Sequence, residues 1–215
     1  MKINTVLFDL DGTLINTNEL IIASFSHTLE QYFPGQYARE DIVEFIGEPL
    51  TESFQRIDPQ RVDELVDVYR RHNIENHDRL VREYEGVHET VKSLHQQGYK
   101  LGIVTTKMRK TVSMGMKLAG LDKLIDTVVT FEDVRRAKPD PEPVNRALSL
   151  LGATAEHAIM VGDSPFDIEA GKNAGTYTAG VAWTIKGSDT LHSVGPDVML
   201  ESMPDLLDVL GVKVG

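Results

Sequence analysis

The sequence predicts an α/β fold: a Rossmann-like three-layer core around a parallel sheet, with an all-helical block inserted after the first strand. Three observations carry this expectation. Five short apolar runs, rich in β-branched residues and in several cases flanked by turn residues, have the length and composition of strands buried on both faces. Amphipathic helical stretches lie between several of them, the alternation of a parallel sheet covered on both sides. A stretch of about 65 residues after the first run holds no convincing strand, far more chain than a simple crossover needs.

The elements follow in chain order. Residues 3–8 form the first apolar run, which Asp9 interrupts. Leu20, Ile21, Ser24, Phe25, Thr28 and Leu29 then make one helical stripe. Val62, Leu65, Val66 and Tyr69 make another, with Asp58 expected as its cap and Pro59 as its first helical residue. Val87, Val91 and Leu94 share a helical face, and Gly98 supplies a stop. Residues 101–104 and 125–129 read as the second and third strands. A helix carrying Ala147, Leu148 and Leu151 runs to Gly152, and residues 158–161 read as the fourth strand. Ser164 caps a helix carrying Ile168, Gly171 and Ala174 and ending at Gly175, before a fifth strand at 177–181. The expected division is a core of residues 1–15 and 82–215 around a helical block of residues 16–81.

Composition narrows the function. The chain has 215 residues, enough for one large domain or two small ones, with 41% hydrophobic and 26% charged residues. Its 33 acidic and 22 basic residues give a net charge of −11. A surface this acidic repels phosphate backbones and anionic membranes, so neither nucleic acid nor membrane is an expected partner. With no cysteine, disulfides, Cys-ligated zinc, iron–sulfur clusters and thiol nucleophiles are excluded. The first apolar run is too short for a signal peptide or a membrane span, and the expected location is the cytoplasm.

In an open parallel sheet, ligands bind beyond the carboxyl ends of the strands. The residues there are Asp9, Asp11, Gly12 and Thr13 after the first strand, and Thr105, Thr106 and Lys107 after the second. Lys138-Pro139-Asp140 follows the third, and Gly162, Asp163 and Asp167 the fourth. Asp9 and Asp11 point the same way in extended backbone. Asp163 and Asp167, four apart at a helix start, share a face. Four carboxylates facing one lysine ionise together only with a cation nearby. An oxygen-only donor set without thiols selects Mg²⁺ over zinc. Thr105, Thr106 and Lys138 suit phosphate oxygens as donors, and Gly12 permits close backbone approach. Taken singly, a D-x-D pair is commonly a solvated turn, Lys-Pro a turn and Gly-Asp-Ser a helix cap. Together, in order, at strand ends, they mark a site. An EF-hand is excluded: Gly12 stands at loop position 4 rather than 6, and Leu20 at position 12. The seven histidines show no metal spacing; His72 and His77 read as solvated on an exposed helix, and Trp183 as packing.

Asp9-Leu10-Asp11-Gly12-Thr13-Leu14, Thr105, Lys138 in Lys-Pro-Asp-Pro-Glu-Pro, and Gly162-Asp163-Ser164-Pro165-Phe166-Asp167 together resemble the four motifs of the haloacid dehalogenase (HAD) superfamily of phosphohydrolases. The resemblance runs over nearly the whole chain, and the inserted block looks like the family's helical cap of the first type. It implies that Asp9 is a nucleophile forming an aspartyl-phosphate and that Asp11 serves as acid and then base. It also implies Mg²⁺ held by Asp9, the Asp11 carbonyl and Asp163, with Thr105 and Lys138 on phosphoryl oxygens and Asp167 in support.

Ile103-Val104-Thr105-Thr106-Lys107 is similar to the phosphoglycolate-phosphatase-like branch. Leu14-Ile15-Asn16-Thr17-Asn18-Glu19-Leu20, Phe45-Ile46-Gly47 and Ala179-Gly180-Val181-Ala182-Trp183-Thr184 resemble bacterial inorganic pyrophosphatases associated with HPr kinase/phosphorylase. That resemblance implies hydrolysis of pyrophosphate and a functional link to HPr kinase/phosphorylase, without implying direct binding. The alternative is a phosphatase for phosphoglycolate or another small phosphomonoester. A mutase is disfavoured, because Ile21 stands where mutases of this branch carry a histidine. A non-catalytic binding module is disfavoured by the complete motif set.

Gly47 matches the cap loop that faces the core site, and Glu48 beside it is an odd neighbour for an anionic substrate. Asn16 stands where relatives often carry an acid. It reads as a helix-start cap, or as a residue that lowers repulsion toward a highly charged substrate. Arg39, Arg56 and Arg70 are candidate counter-charges in the cap.

Overall fold

The computed structural model describes residues 2–212. Met1 and residues 213–215, which the expected core division includes, lie outside the described residues. The elements are β1 (Thr5–Phe8), β2 (Ile15–Asn16), α1 (Asn18–Tyr32), α2 (Arg39–Val43), α3 (Leu50–Ile57), α4 (Val62–Leu80), β3 (Arg82–Glu83), α5 (Val87–Gln96), β4 (Lys100–Val104) and α6 (Arg109–Leu118). Then come β5 (Thr127–Val129), α7 (Glu142–Leu151), β6 (Ala158–Gly162), α8 (Pro165–Ala174), β7 (Tyr177–Val181), α9 (Ser188–Val194), β8 (Val198–Leu200) and α10 (Asp205–Val209).

Six strands form one sheet in the order β5-β4-β1-β6-β7-β8, and every pairing is parallel. β1 is central, with Phe8 opposite Ile103 on one side and Val161 on the other. Side chains alternate across the pleat. Val6, Phe8, Ile159 and Val161 join one core cluster with α5 and α6, while Leu7, Ala158 and Met160 join a second with α7 and α8. Both faces are therefore covered, and the three-layer expectation holds. The sixth strand, β8, was not expected from the sequence: Val198-Met199-Leu200 is too short to stand out.

Helices α1–α4 form the insertion, and they have a core of their own. Phe25 packs against Phe45, Phe54 and Tyr69 with ring centroids 4.9–5.4 Å apart, joined by Ile42 and Leu65. A two-stranded antiparallel ribbon closes its base, pairing Ile15 with Glu83 and Asn16 with Arg82. The helix expected to open at Pro59 begins at Val62 instead. Asp58 ends α3 and spends its carboxylate on a turn: Oδ1 accepts from the Gln60 N–H at 3.0 Å and Oδ2 from Arg61 Nε at 2.8 Å. His72 is half-buried, but His77 is fully buried rather than solvated, because α4 lies against α6 of the core on that side, and Gly115 of α6 lies beside the His77 ring. Among the described residues no helix is long and apolar enough to cross a membrane.

Candidate active site

The carboxyl edge of the sheet meets the insertion at a cavity of about 260 Å³. Asp9 continues β1, its backbone N–H donating to the Val161 carbonyl at 2.9 Å, so the strand itself fixes where the carboxylate stands. The chain then turns sharply, with Gly12 N–H donating to the Ile15 carbonyl at 2.8 Å. Gly12 has φ +78°, and a Cβ there would fall 2.2 Å from Asp163 Oδ2. Glycine is thus required by both backbone and space. Gly162 is held equally closely, since its Cβ would meet Asp167 Cβ at 2.2 Å.

Lys138 lies at the centre of the polar contacts. Its Nζ donates to Asp9 Oδ1 at 2.7 Å, Asp167 Oδ1 at 2.5 Å and the Val104 carbonyl at 2.9 Å. All three of its donors are used. Asp167 is held at both oxygens: besides the Lys138 contact at Oδ1, its Oδ2 accepts from the Ser164 N–H at 3.0 Å and Oγ at 2.7 Å, closing a capping box on α8. Asp163 accepts from Thr13 Oγ1 at 3.4 Å. Asp11 is paired with Lys107.

Oxygen atoms of Asp9, Asp163 and Asp167 come within 4.8 Å of one another, and all three residues are buried. Burial pushes the Asp9 carboxyl up to about 7, against the pull of Lys138 and with the further push of Asp167 and Asp11. Burial, then Asp9 and Asp167, raises Asp163 well above the ordinary carboxylate range. Burial opposes charge on Lys138, but Asp167 and Asp9 outweigh it and hold its ammonium. An all-oxygen, buried and mutually repelling donor set is what a hard divalent cation relieves, and these residues fit one.

This carries a pH prediction. In the unfolded chain the Asp9 carboxyl titrates near 3.8, against about 7 folded. Between those values the metal-free folded protein holds more protons than the unfolded chain. Asp9 therefore costs stability as pH rises through that window, and Asp163 acts in the same direction. In EDTA the melting temperature is expected to fall from pH 5 toward 7.5. Mg²⁺ is expected to restore more of it at the upper end, with protons released on binding. Equal Mg²⁺ stabilisation across the window, read by thermal melts and by calorimetry in two buffers, would contradict this.

Of the residues singled out from the sequence, Asp9, Asp11, Thr106, Lys138, Asp163 and Gly47 line the cavity. Thr105 is buried at the end of β4, where its Oγ1 accepts from the Lys107 N–H at 3.2 Å. Gly12 and Asp167 stand behind the wall, against Asp163 and Lys138. Asn16 does not line the cavity. It sits in the ribbon, and its Oδ1 accepts from the Asn18 N–H at 3.2 Å, the cap-like role at the start of α1. Gly47 lies across from Ser164. Glu48 faces the cavity with its charge met by Arg56 at 2.5 Å and Ser53 Oγ at 3.3 Å. Trp183 packs against Tyr84, their ring centroids 5.8 Å apart. Tyr69, read from the sequence only as part of an apolar helical stripe, and Asn73, not singled out there, also line the cavity. Their i, i+4 spacing puts them on one face of α4, which was the available signal.

Comparison with known proteins agrees with this geometry. The family model for haloacid dehalogenase-like hydrolases matches residues 6–181, and the chain belongs to that family. A solved structure described as a haloacid dehalogenase-like hydrolase, from Bacteroides fragilis, superposes with a TM-score of 0.89 at 25% identity, over 95% of this chain and 100% of that one. The chain is 60% identical over 213 residues to Pyrophosphatase PpaX of Halalkalibacterium halodurans, covering 99% of each. It is likewise 60% identical over 212 residues to Pyrophosphatase PpaX of Anoxybacillus flavithermus, again covering 99% of each.

Proposed function

We propose that the protein hydrolyses inorganic pyrophosphate to two orthophosphates with Mg²⁺, through a phosphoryl group carried on Asp9. The observation that carries the substrate is the 60% identity over 99% of both chains with proteins named pyrophosphatases. The cavity side chains support the chemistry. Asp9, Asp163 and the Asp11 backbone carbonyl would hold the cation, which when bound would supply Lewis-acid charge neutralisation at the phosphoryl oxygens. Asp9 attacks phosphorus, forming the acyl-phosphate bond as the bridging P–O bond breaks. Lys138 offsets the charge that makes this attack unfavourable. Asp11 gives a proton to the departing phosphate. In the second half it takes a proton from the water whose oxygen attacks the aspartyl-phosphate, freeing orthophosphate and Asp9. Lys107 Nζ contacts Asp11 Oδ1 and so holds the Asp11 carboxyl in place through both halves. Thr105 and Thr106 receive phosphoryl oxygens, with Gly47 bringing backbone close to the substrate and Gly12 making room for the Asp163 carboxylate.

Residues 16–81 act as the cap, hinged on the β2–β3 ribbon. Closure of cap on core excludes bulk water. The partner is thus a small anionic phosphate in the cytoplasm, and any link to HPr kinase/phosphorylase is one of function rather than binding. Phosphate release from pyrophosphate, 2-phosphoglycolate, a nucleoside monophosphate and a hexose phosphate tests the reading. A kcat/KM for pyrophosphate at least about tenfold above the others, lost in EDTA, is expected; tenfold corresponds to roughly 1.4 kcal/mol of transition-state discrimination. A preference for 2-phosphoglycolate would replace the substrate and leave the roles of the core residues in place.

A further inference from the structure

The three cap arginines that the sequence could not tell apart are separated by their surroundings. Arg39 is exposed and paired with Glu19, and Arg56 is held by Glu48 at 2.5 Å. Arg70 pairs with no carboxylate among the described residues, and it alone of the three lines the cavity that Asp9 and Asp11 also line. Its Nε is buried and has no hydrogen-bond partner. No protein group among the described residues takes up the Arg70 charge, so the accessible donors of its guanidinium are left for an anion that enters the cavity.

The rest of the charge in the cavity points to what enters. Lys138 is fully committed to Asp9, Asp167 and the Val104 carbonyl, and Lys107 to Asp11. Lys110 is exposed on the core side. Much of the cap wall around Arg70 is apolar, with Ile21, Phe25, Phe45 and Ile46. The inward-facing acid there, Glu48, is already neutralised by Arg56. Arg70 is therefore the cap's one cation among the lining residues of the cavity of about 260 Å³ that Asp9, Asp11 and Asp163 also line. A guanidinium presents a planar fork of donors that matches two phosphate oxygens at once.

We infer that Arg70 receives the second phosphate of a diphosphate, the one that departs when Asp9 takes the first. Arg70 then sets the preference for a charged, oxygen-rich leaving group over an uncharged organic one. This rests on the pyrophosphate reading and names the residue that enforces it. Arg70 stabilises charge that grows on the departing phosphate, so its effect falls on both kcat and KM for pyrophosphate. Phenyl phosphate, whose ring the aromatic cap wall can take, makes no use of it.

The test compares wild type, Arg70→Gln and Arg70→Lys on pyrophosphate and phenyl phosphate with Mg²⁺. Arg70→Gln is expected to lower kcat/KM for pyrophosphate on the order of 10- to 100-fold, the effect of losing a charge-assisted hydrogen bond. Phenyl phosphate is expected to lose much less, and Arg70→Lys to fall between. A second measurement needs no variant. Imidodiphosphate, a non-hydrolysable diphosphate, is expected to protect Arg70 of the wild type from phenylglyoxal, read by peptide mass spectrometry, where methyl phosphate does not. Equal losses on both substrates, no loss on pyrophosphate, or no protection would overturn the assignment. Wild type that hydrolyses phenyl phosphate but not pyrophosphate would instead overturn the pyrophosphatase reading, and the assignment with it.

Discussion

Asp9→Asn is expected to lower kcat by at least about 10⁴-fold while leaving the fold intact and raising its stability in EDTA. The two effects have one cause. An amide keeps the shape of the side chain and an oxygen that accepts from Lys138 Nζ, a contact of 2.7 Å in the native protein. It cannot attack phosphorus. It also carries no charge, and the native carboxyl is buried beside Asp163 and Asp167 with its pKa pushed up to about 7. A carboxylate whose pKa is raised on folding costs stability once the pH passes its unfolded value, so at pH 7.5 the substitution removes that cost. Melting temperature in EDTA is expected to rise at pH 7.5 and to change little at pH 4, where the aspartic acid is already largely protonated. A residue needed only for structure would move activity and stability downward together.

Lys138→Gln is expected to do the opposite to stability and nearly as much to activity. The ammonium is buried and joins Asp9, Asp167 and the end of β4 in one set of contacts. Removing one partner of a buried ion pair leaves uncompensated charge in the interior, at a cost of about 3–5 kcal/mol. The expected loss in kcat/KM is on the order of 10³-fold, since the nucleophile then meets an anionic phosphate without its neighbouring cation. Mg²⁺ is expected to recover part of the stability and little of the rate. In the double variant with Asp9→Asn, the Lys138→Gln loss should be smaller than in the single variant, because Asp9→Asn has already removed one of the carboxylates that Lys138→Gln leaves unpaired. A Lys138→Gln loss of the same size in both backgrounds, read by denaturant unfolding in EDTA, would show that the two side chains do not share one electrostatic unit.

The core was legible because its strands are buried on both faces, which leaves continuous apolar runs ending in polar residues: Val6-Leu7-Phe8 before Asp9, and Ile159-Met160-Val161 before Gly162 and Asp163. Those strand ends also made most of the site legible. What was not legible depends on tertiary contact. Val198-Met199-Leu200 is a strand only because β7 offers it an edge. Ile15 and Asn16 pair with residues beyond the whole insertion, at Arg82 and Glu83. Asp58 caps a turn rather than a helix because Arg61 reaches back to it. His77 is buried because α4 lies against α6, a packing no pattern in α4 announces. Glu48 faces inward yet is neutralised, since Arg56 lies one side of α3 away. Arg39, Arg56 and Arg70 look alike in one dimension, and only the fold separates the two paired ones from the third.

Acid quench of the enzyme during turnover of ³²P-labelled pyrophosphate, followed by proteolysis and mass spectrometry, tests the account most directly. The expected result is acid-stable label on the peptide that contains Asp9, discharged by hydroxylamine, dependent on Mg²⁺ and absent from Asp9→Asn. Full turnover with no label on that peptide would contradict it and would mean that water attacks the substrate directly.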